Sequence, residues 1–384
     1  MLWYGILAAL FAVEIVMIAL LRWRRKDRPG RTGKPWLCPV IALAVCAALA
    51  VWSPANALIA LLHLCVFLCV GILADGICSL VTRGKDSGTN DGSAKDSSAT
   101  EESRKRVRES SSHVWLAAAV ACIVWLGIGW YAAHHIWRTD YSLTTDKSLG
   151  QEKLRIVQIS DTHIGVTMDA EDFAKALGRV EEAKPDIIVV TGDFTDENTS
   201  REDMVKCCQA LGQLKTRYGV YFVFGNHDAS DEGEREFTSA ELEAELGGNG
   251  VVVMRDKVLC VEGKFYLVGR RDTSESRASY AELAKGLDPS KYVIVLDHQP
   301  GDFTKEAAAG ADLVLAGHTH GGQMIPLGLA SQFLPTVFGD AEFMYGMRMY
   351  GDTACVVSSG MSSWEFVIKT GTISEFTVVD VCGK

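Results

Sequence analysis

From Lys153 onward the chain repeats one pattern: a short, largely apolar run that stops on a small turn carrying Asp, Asn or His. KLRIVQIS runs into Asp161 and His163, DIIVV into Asp193, VYFVFG into Asn226 and His227, YVIVLD into His298, and DLVLAG into His318 and His320. Short apolar runs of this kind read as strands buried on both faces, the signature of a largely parallel sheet covered by other layers. Such strands present their C-terminal ends on one edge, so side chains just past those ends converge. Taken singly, a strand-end Asp is an N-cap for the next helix, and a lone His is a hydrogen-bonded structural residue. Five such ends in series exceed what capping explains, and a converging set of Asp, Asn and His suits two divalent cations.

Helical spacing fills the gaps. Phe173, Leu177 and Val180 share one face of a helix expected over 170–183, and further helices are expected near 201–215, 233–246, 279–286 and 302–309. Shorter strands are expected at 251–254, 258–261, 265–269, 354–358 and 372–380. Strands alternating with helices in this way build an α/β layered domain, here over 150–384.

The first 150 residues read differently. Four apolar stretches stand out, at about 1–21, 36–52, 55–81 and 114–137, against the roughly 20 apolar residues a helix needs to cross a bilayer. The second is short, but Ser53-Pro54 makes it half of a helical hairpin with the third. The basic cluster RWRRK follows the first stretch instead of preceding it, which argues against a cleaved signal peptide. The expectation is three transmembrane helices within 1–82 with a basic cytoplasmic loop, a disordered linker over 83–113, and a fourth transmembrane helix at 114–137. Positive charge in the 22–35 loop and in the RKRVR run of the linker puts both in the cytoplasm. The C-terminal half is then expected to be extracytoplasmic, at the cell membrane.

Charge divides the chain the same way. Residues 1–150 hold 16 Lys and Arg against 11 Asp and Glu, whereas 151–384 hold 22 against 37. So acidic a second half repels a phosphate backbone, and no nucleic-acid partner is expected. Its five cysteines, Cys207, Cys208, Cys260, Cys355 and Cys382, are odd in number and lack CxxC spacing, so no zinc ribbon or disulfide framework is implied.

In order and spacing, the motifs D-x-H at Asp161 and His163, G-D at Asp193 with Asp196 in the GDxxD position, G-N-H-D at 225–228, the single His298, and G-H-x-H at 317–320 resemble the calcineurin-like metallophosphoesterase family. GHTHGGQ followed by a strand ending in SSG is similar to the membrane-anchored bacterial branch of that family. The resemblance covers the C-terminal domain and none of the four apolar stretches. With it the expected fold becomes an N-terminal multi-pass α-helical membrane region followed by an α/β metallophosphoesterase domain, a layered β-sandwich flanked by helices.

The resemblance also implies roles. One metal takes Asp161, His163 and His320, a second takes Asn226, His298 and His318, and Asp193 bridges them. A water activated between the two metals attacks phosphorus, His227 serves as general acid, and Asp228 orients the His227 ring. The mixed nitrogen and oxygen donor set suits Mn, Fe or Zn. After SSG the chain reads MSSWEFVIK, with Glu365 and Lys369, where related sequences tend toward Gly-Thr-Trp-Gly and an Arg.

From the residues alone, Arg270 and Arg271 are candidates to clamp a substrate phosphate, with ion pairs to Asp272 and Glu275 as the alternative. The segment 323–350 reads either as cover for the sheet or as a loop near the site. The leading expectation is a membrane-embedded hydrolase acting on a phosphomonoester, a phosphodiester or a lipid-linked pyrophosphate. The alternatives are a membrane sensor or scaffold that only binds through this domain, and a nuclease. The filled ligand positions favour the enzyme, and the acidic charge disfavours the nuclease.

Overall fold

The computed structural model describes residues 59, 60, 62–67, 69–71, 73, 77, 120–230, 235–325 and 341–383. Two compact units divide the chain, Met1–Ile128 and Gly129–Lys384. The second unit contains two six-stranded mixed sheets.

The first sheet has the order β1 (Ile136–Thr145), β12 (Ser374–Gly383), β2 (Lys153–Ile159), β3 (Ile187–Thr191), β4 (Val220–Val223), β5 (Val252–Val253). The second has the order β10 (Gly346–Tyr350), β11 (Thr353–Val357), β9 (Leu313–Ala316), β8 (Val293–Leu296), β7 (Phe265–Gly269), β6 (Lys257–Val261). β2, β3, β4 and β5 run parallel, as do β7, β8, β9 and β11, while β12 against β2, β10 against β11 and β6 against β7 are antiparallel.

Alternation along the strands explains the layering. Leu154, Ile156, Ile187, Val189, Tyr221 and Val223 of the first sheet share a core with Leu267, Ile294, Leu296, Leu313, Leu315 and Val356 of the second. The intervening residues of the first sheet, Val157, Ile159, Ile188, Val190 and Phe222, meet Phe173, Leu177, Val180, Met204, Leu211 and Leu242 from three helices. Those helices are Ala170–Glu182, Arg201–Gln213 and Ser239–Gly248. Val268, Val295, Val314 and Val357 on the other outer face pack on Phe303 and Tyr280. Each such buried side chain contributes about 1.5–3 kcal/mol, so strands apolar on both faces are the main stabilising element. Capping sets the helix starts. Thr238 and Glu241 form a capping box, and Asp169 and Ser200 accept from the backbone N–H three residues on.

The α/β layers agree with expectation, but the multi-pass membrane region is corrected. Among the described residues no helix is long and apolar enough to cross a membrane. The stretches 1–21 and 36–52 and the linker 83–113 lie outside the described residues. The described part of the fourth stretch is a helix over 120–134, and Ile136 and Trp137 belong to β1 instead. β1 pairs in parallel with β12 from Ile136↔Ser374 to Thr145↔Gly383, so the compact unit begins upstream of residue 150. Part of the segment 323–350 is likewise a strand, β10.

One cross-strand pair gives a pH test. Arg155 on β2 and Asp380 on β12 are in register, with Nε to Oδ1 at 2.7 Å and Nη2 to Oδ2 at 2.8 Å. The Arg155 hydrogen bonds hold Asp380 down to about 2. A depressed carboxylate contributes stability above its unfolded pKa of about 3.9, and that stability is lost as pH falls through the folded value. Asp380→Asn should therefore cost about 1 kcal/mol at pH 7. In urea melts the deficit should close between about pH 4 and pH 2. A deficit of the same size at both ends would exclude the ion pair as its source.

Candidate metal centre

The parallel strands deliver the expected residues to one edge. Asp161 and His163 follow β2, Asp193 follows β3, Asn226 and His227 follow β4, His298 follows β8, and His318 and His320 follow β9. The backbone leaving these strands is strained. Asp161, His163, Asp193, His318 and His320 all have φ between 36° and 70°, a region costly for residues other than Gly and concentrated at functional sites. Glycines make the close approaches possible, since a Cβ on Gly225 would overlap the Asp193 carboxylate and one on Gly317 would overlap that of Asp161.

Backbone hydrogen bonds lock the loops together. Asp161 N–H donates to Gly192 O at 3.0 Å and His163 N–H to Asp193 O at 3.1 Å. The acidic side chains are fixed as well: His318 N–H donates to Asp161 Oδ1 at 2.8 Å, Ser160 Oγ–H donates to Asp161 Oδ2, and His227 N–H donates to Asp193 Oδ1 at 2.9 Å. Asp193 Oδ2 then lies between two imidazoles, 3.1 Å from His298 Nε2 and 3.7 Å from His163 Nε2.

Three groups of ligand-type atoms result. Asp161, His163 and His320 form one cluster, Asp193, His298 and His318 another, and His163 also stands with Asp196 and His227. Asn226 lies at the strand end beside Asp193, and its Oδ1 is buried without a hydrogen-bond partner.

The hydrogen bonds behind the rings determine which nitrogens face inward. His163 Nδ1–H donates to Asp196 Oδ2 at 2.9 Å, and His298 Nδ1–H donates to the Thr191 carbonyl at 2.8 Å. In the neutral rings both Nε2 atoms are thus bare acceptors. His163 Nε2 nevertheless faces His320 Nε2 at 3.1 Å, and His298 Nε2 points toward Asp193 Oδ2 off the line of a hydrogen bond. Each of these contacts needs a proton, on His320 Nε2 in the first and on His298 Nε2 in the second, or a cation in its place. The donor set fits two divalent cations on that ground.

The electrostatics show a proton taking that place when no cation is bound, with His163 and His298 both raised above an ordinary imidazole despite their burial. Burial opposes charge on both Asp193 and His298, yet each overcomes it in the other: Asp193 is held well below the usual carboxylate range and His298 is raised well above an ordinary imidazole. Burial and the His298 ring push His318 down to about 4, and burial with the charge of His163 holds His320 well below its ordinary value. Those two rings stay neutral, the form that binds metal.

His227 lies at the mouth, 14% exposed, with its ring edge-on to His163 at 4.9 Å. Its Nδ1 is 3.1 Å from Glu197 Oε1. Asp228 does not orient it. That carboxylate is fully buried and turned inward, accepting from Phe194 N–H, Thr195 N–H, Thr195 Oγ1–H and Gly225 N–H.

The arginines are corrected as well. Arg270 is 2% exposed, with Nη1 bonded to Asp297, Asp302 and Glu306 at 2.8–3.0 Å. Arg271 pairs with Glu275. The ion-pair alternative describes Arg271, whereas Arg270, just past β7, is matched by Asp297, Asp302 and Glu306 and not by Asp272 or Glu275.

Several contributors were not singled out as site residues from sequence. Asp196 and Glu197 support the two imidazoles, and Trp364 places its ring 6.2 Å from that of His227. Gln323, the last residue of GHTHGGQ, holds that tryptophan's segment: its Oε1 accepts from Trp364 N–H at 3.0 Å and its Nε2 donates to Trp364 O at 3.1 Å. GDxxD was the available signal for Asp196, but nothing in the sequence marks Glu197.

The calcineurin-like phosphoesterase family model matches residues 154–322. A zebrafish protein described as a transmembrane protein with metallophosphoesterase domain is 32% identical over 234 residues, covering 58% of this chain and 52% of that protein. A metallophosphoesterase of Aquifex aeolicus (strain VF5) is 33% identical over 196 residues, covering 49% of this chain and 71% of its own length. The chain thus spans about half the length of the zebrafish relative. Among solved structures, TT1561 of Thermus thermophilus aligns at 13% identity with a TM-score of 0.36, over 54% of this chain and 89% of that one.

Proposed function

The chain belongs to the calcineurin-like phosphoesterase family, and from that premise we propose that it hydrolyses phosphoesters at a two-cation centre on the strand-end edge. One observation carries the reading: Asp193 Oδ2 stands between His163 Nε2 and His298 Nε2, each ring fixed from behind so that its lone pair faces inward. Asp161, His163 and His320 would hold one cation and Asn226, His298 and His318 the other, with Asp193 as a carboxylate available to either. Divalent cations there supply Lewis acidity, neutralising phosphoryl charge and making water a usable nucleophile near neutral pH. The nitrogen and oxygen donors suit Mn, Fe or Zn.

The chain's own groups do the rest. Asp196 and the Thr191 carbonyl keep His163 and His298 in the tautomer that presents Nε2. Glu197 holds Nδ1 of His227, leaving Nε2 to pass a proton to the departing alkoxide. Full-length protein stripped of metal should not cleave bis-p-nitrophenyl phosphate or p-nitrophenyl phosphate, and Mn²⁺, Fe²⁺ or Zn²⁺ should restore cleavage of at least one. Cleavage that ignores both chelator and added metal, or no cleavage under any loading, would remove the proposal.

Membrane association is also part of the proposal, and the name of the zebrafish relative supports it. Expressed full-length chain should sediment with the membrane fraction and resist a carbonate wash. Recovery in the supernatant would dismiss this part alone.

A further inference from the structure

Lys369 is a lysine buried to 1% exposure, and the proposed chemistry leaves it unused. Its Nζ donates to Ser359 O at 2.7 Å, Gly360 O at 3.2 Å and Ile373 O at 3.3 Å. Three donors meet three carbonyls, so the ammonium is satisfied without water. Burial lowers its pKa to about 7, against the pull of Asp161 and Glu375.

The same turn is held from its other side. Ser359 N–H donates to Glu375 Oε1 at 3.0 Å, and Glu375, itself 1% exposed, accepts on Oε2 from Tyr345 Oη–H at 3.0 Å and from Thr139 Oγ1–H. A buried cation and a buried anion thus hold the carbonyl and N–H sides of the turn that follows β11.

That turn is the wall of one ligand cluster only. Met361 N–H donates to Ser160 O at 2.8 Å and Ser362 N–H to Asp161 O at 3.1 Å. Gly360, at φ +83°, lies so close that a Cβ there would come within 2.8 Å of Asp161 Cβ and 3.1 Å of His320 Nδ1. Among the described residues the turn's hydrogen bonds include none to Asn226, His298 or His318.

We propose that Lys369 is a positioning residue for one cation site, holding the 358–360 turn against Asp161 and His320 so that these two ligands and His163 keep their spacing, while the other site stands without it. The inference rests on the two-cation reading above.

The test is Mn²⁺ titration of metal-stripped full-length protein, by calorimetry and by the electron paramagnetic resonance signal of coupled Mn²⁺ pairs. Lys369→Met should weaken one of two sites by about 10–100-fold, as losses behind a metal ligand do, with the paired signal giving way to an isolated one. Lys369→Arg should recover part of the affinity. In a His298→Ala background, Lys369→Met should weaken the remaining site. In a His320→Ala background it should leave the remaining site unchanged, a contrast that general unfolding cannot produce.

Equal weakening of both sites, or two unchanged sites, overturns the role of Lys369 and leaves the two-cation reading intact. Wild-type protein that takes up no second Mn²⁺ overturns that reading, and the Lys369 assignment with it.

Discussion

Replacing Asp193 by Asn should reduce metal-dependent phosphodiester cleavage by on the order of 10³-fold, the scale seen when an enzyme loses a group stabilising charge in the transition state. Asn keeps the shape and the oxygen that accepts from His227 N–H, but puts an uncharged amide between His163 and His298. Because Asp193 Oδ2 stands 3.1 Å from His298 Nε2 and 3.7 Å from His163 Nε2, one ring of each cluster, metal analysis should fall from two cations per chain to one or fewer. The metal-free protein should lose stability as well, since Asp193 and His298 support each other's charge and the substitution leaves the buried His298 ring without its partner. A variant that keeps two cations and loses less than tenfold in rate would show that Asp193 bridges nothing.

The strand-end set was legible because β3, β4, β8 and β9 are buried on both faces and read as short apolar runs, and β2 is buried from Ile156 to Ile159, just before Asp161. β1 and β10 are edge strands whose buried positions are few, and their sequences, IWRTDYSLTT and GMRMY, carry no such run. The first two residues of β1 also continue an apolar stretch, which drew them into a helical reading.

Side-chain direction was harder to read than position. His227 and Asp228 are neighbours in sequence, which suggested a pair, but they sit in the helical turn Asn226–Ala229, where successive side chains point about 100° apart. Asp228 therefore turns inward and His227 outward, and Glu197 from another loop becomes the partner. Arg270 misled in a similar way. Its carboxylate partners Asp297, Asp302 and Glu306 lie 27–36 residues further along the chain, so only the folded sheet reveals that its charge is already matched.

Asp228 consequently makes a larger prediction about stability than about chemistry. Its carboxylate accepts three backbone N–H groups and one hydroxyl, with no exposure to solvent. Asp228→Ala strands those donors in the interior, at about 1–3 kcal/mol each before relaxation. Because such losses are not additive, the expected total is about 3–5 kcal/mol, the range for breaking a buried charged contact. Urea midpoints should fall with an unchanged slope, and Asp228→Asn, which retains one acceptor, should lose less.

Activity should fall too, for a reason downstream of the fold. Asp228 joins the loop after β3 to the loop after β4, and that junction fixes the 2.9 Å bond from His227 N–H to Asp193 Oδ1. A residue that merely oriented the His227 ring would behave in the opposite way, with normal urea midpoints and a rate defect alone in Asp228→Asn. Measuring both quantities on the one variant therefore separates the two roles, and a loss below about 1 kcal/mol in Asp228→Ala would return Asp228 to the catalytic assignment.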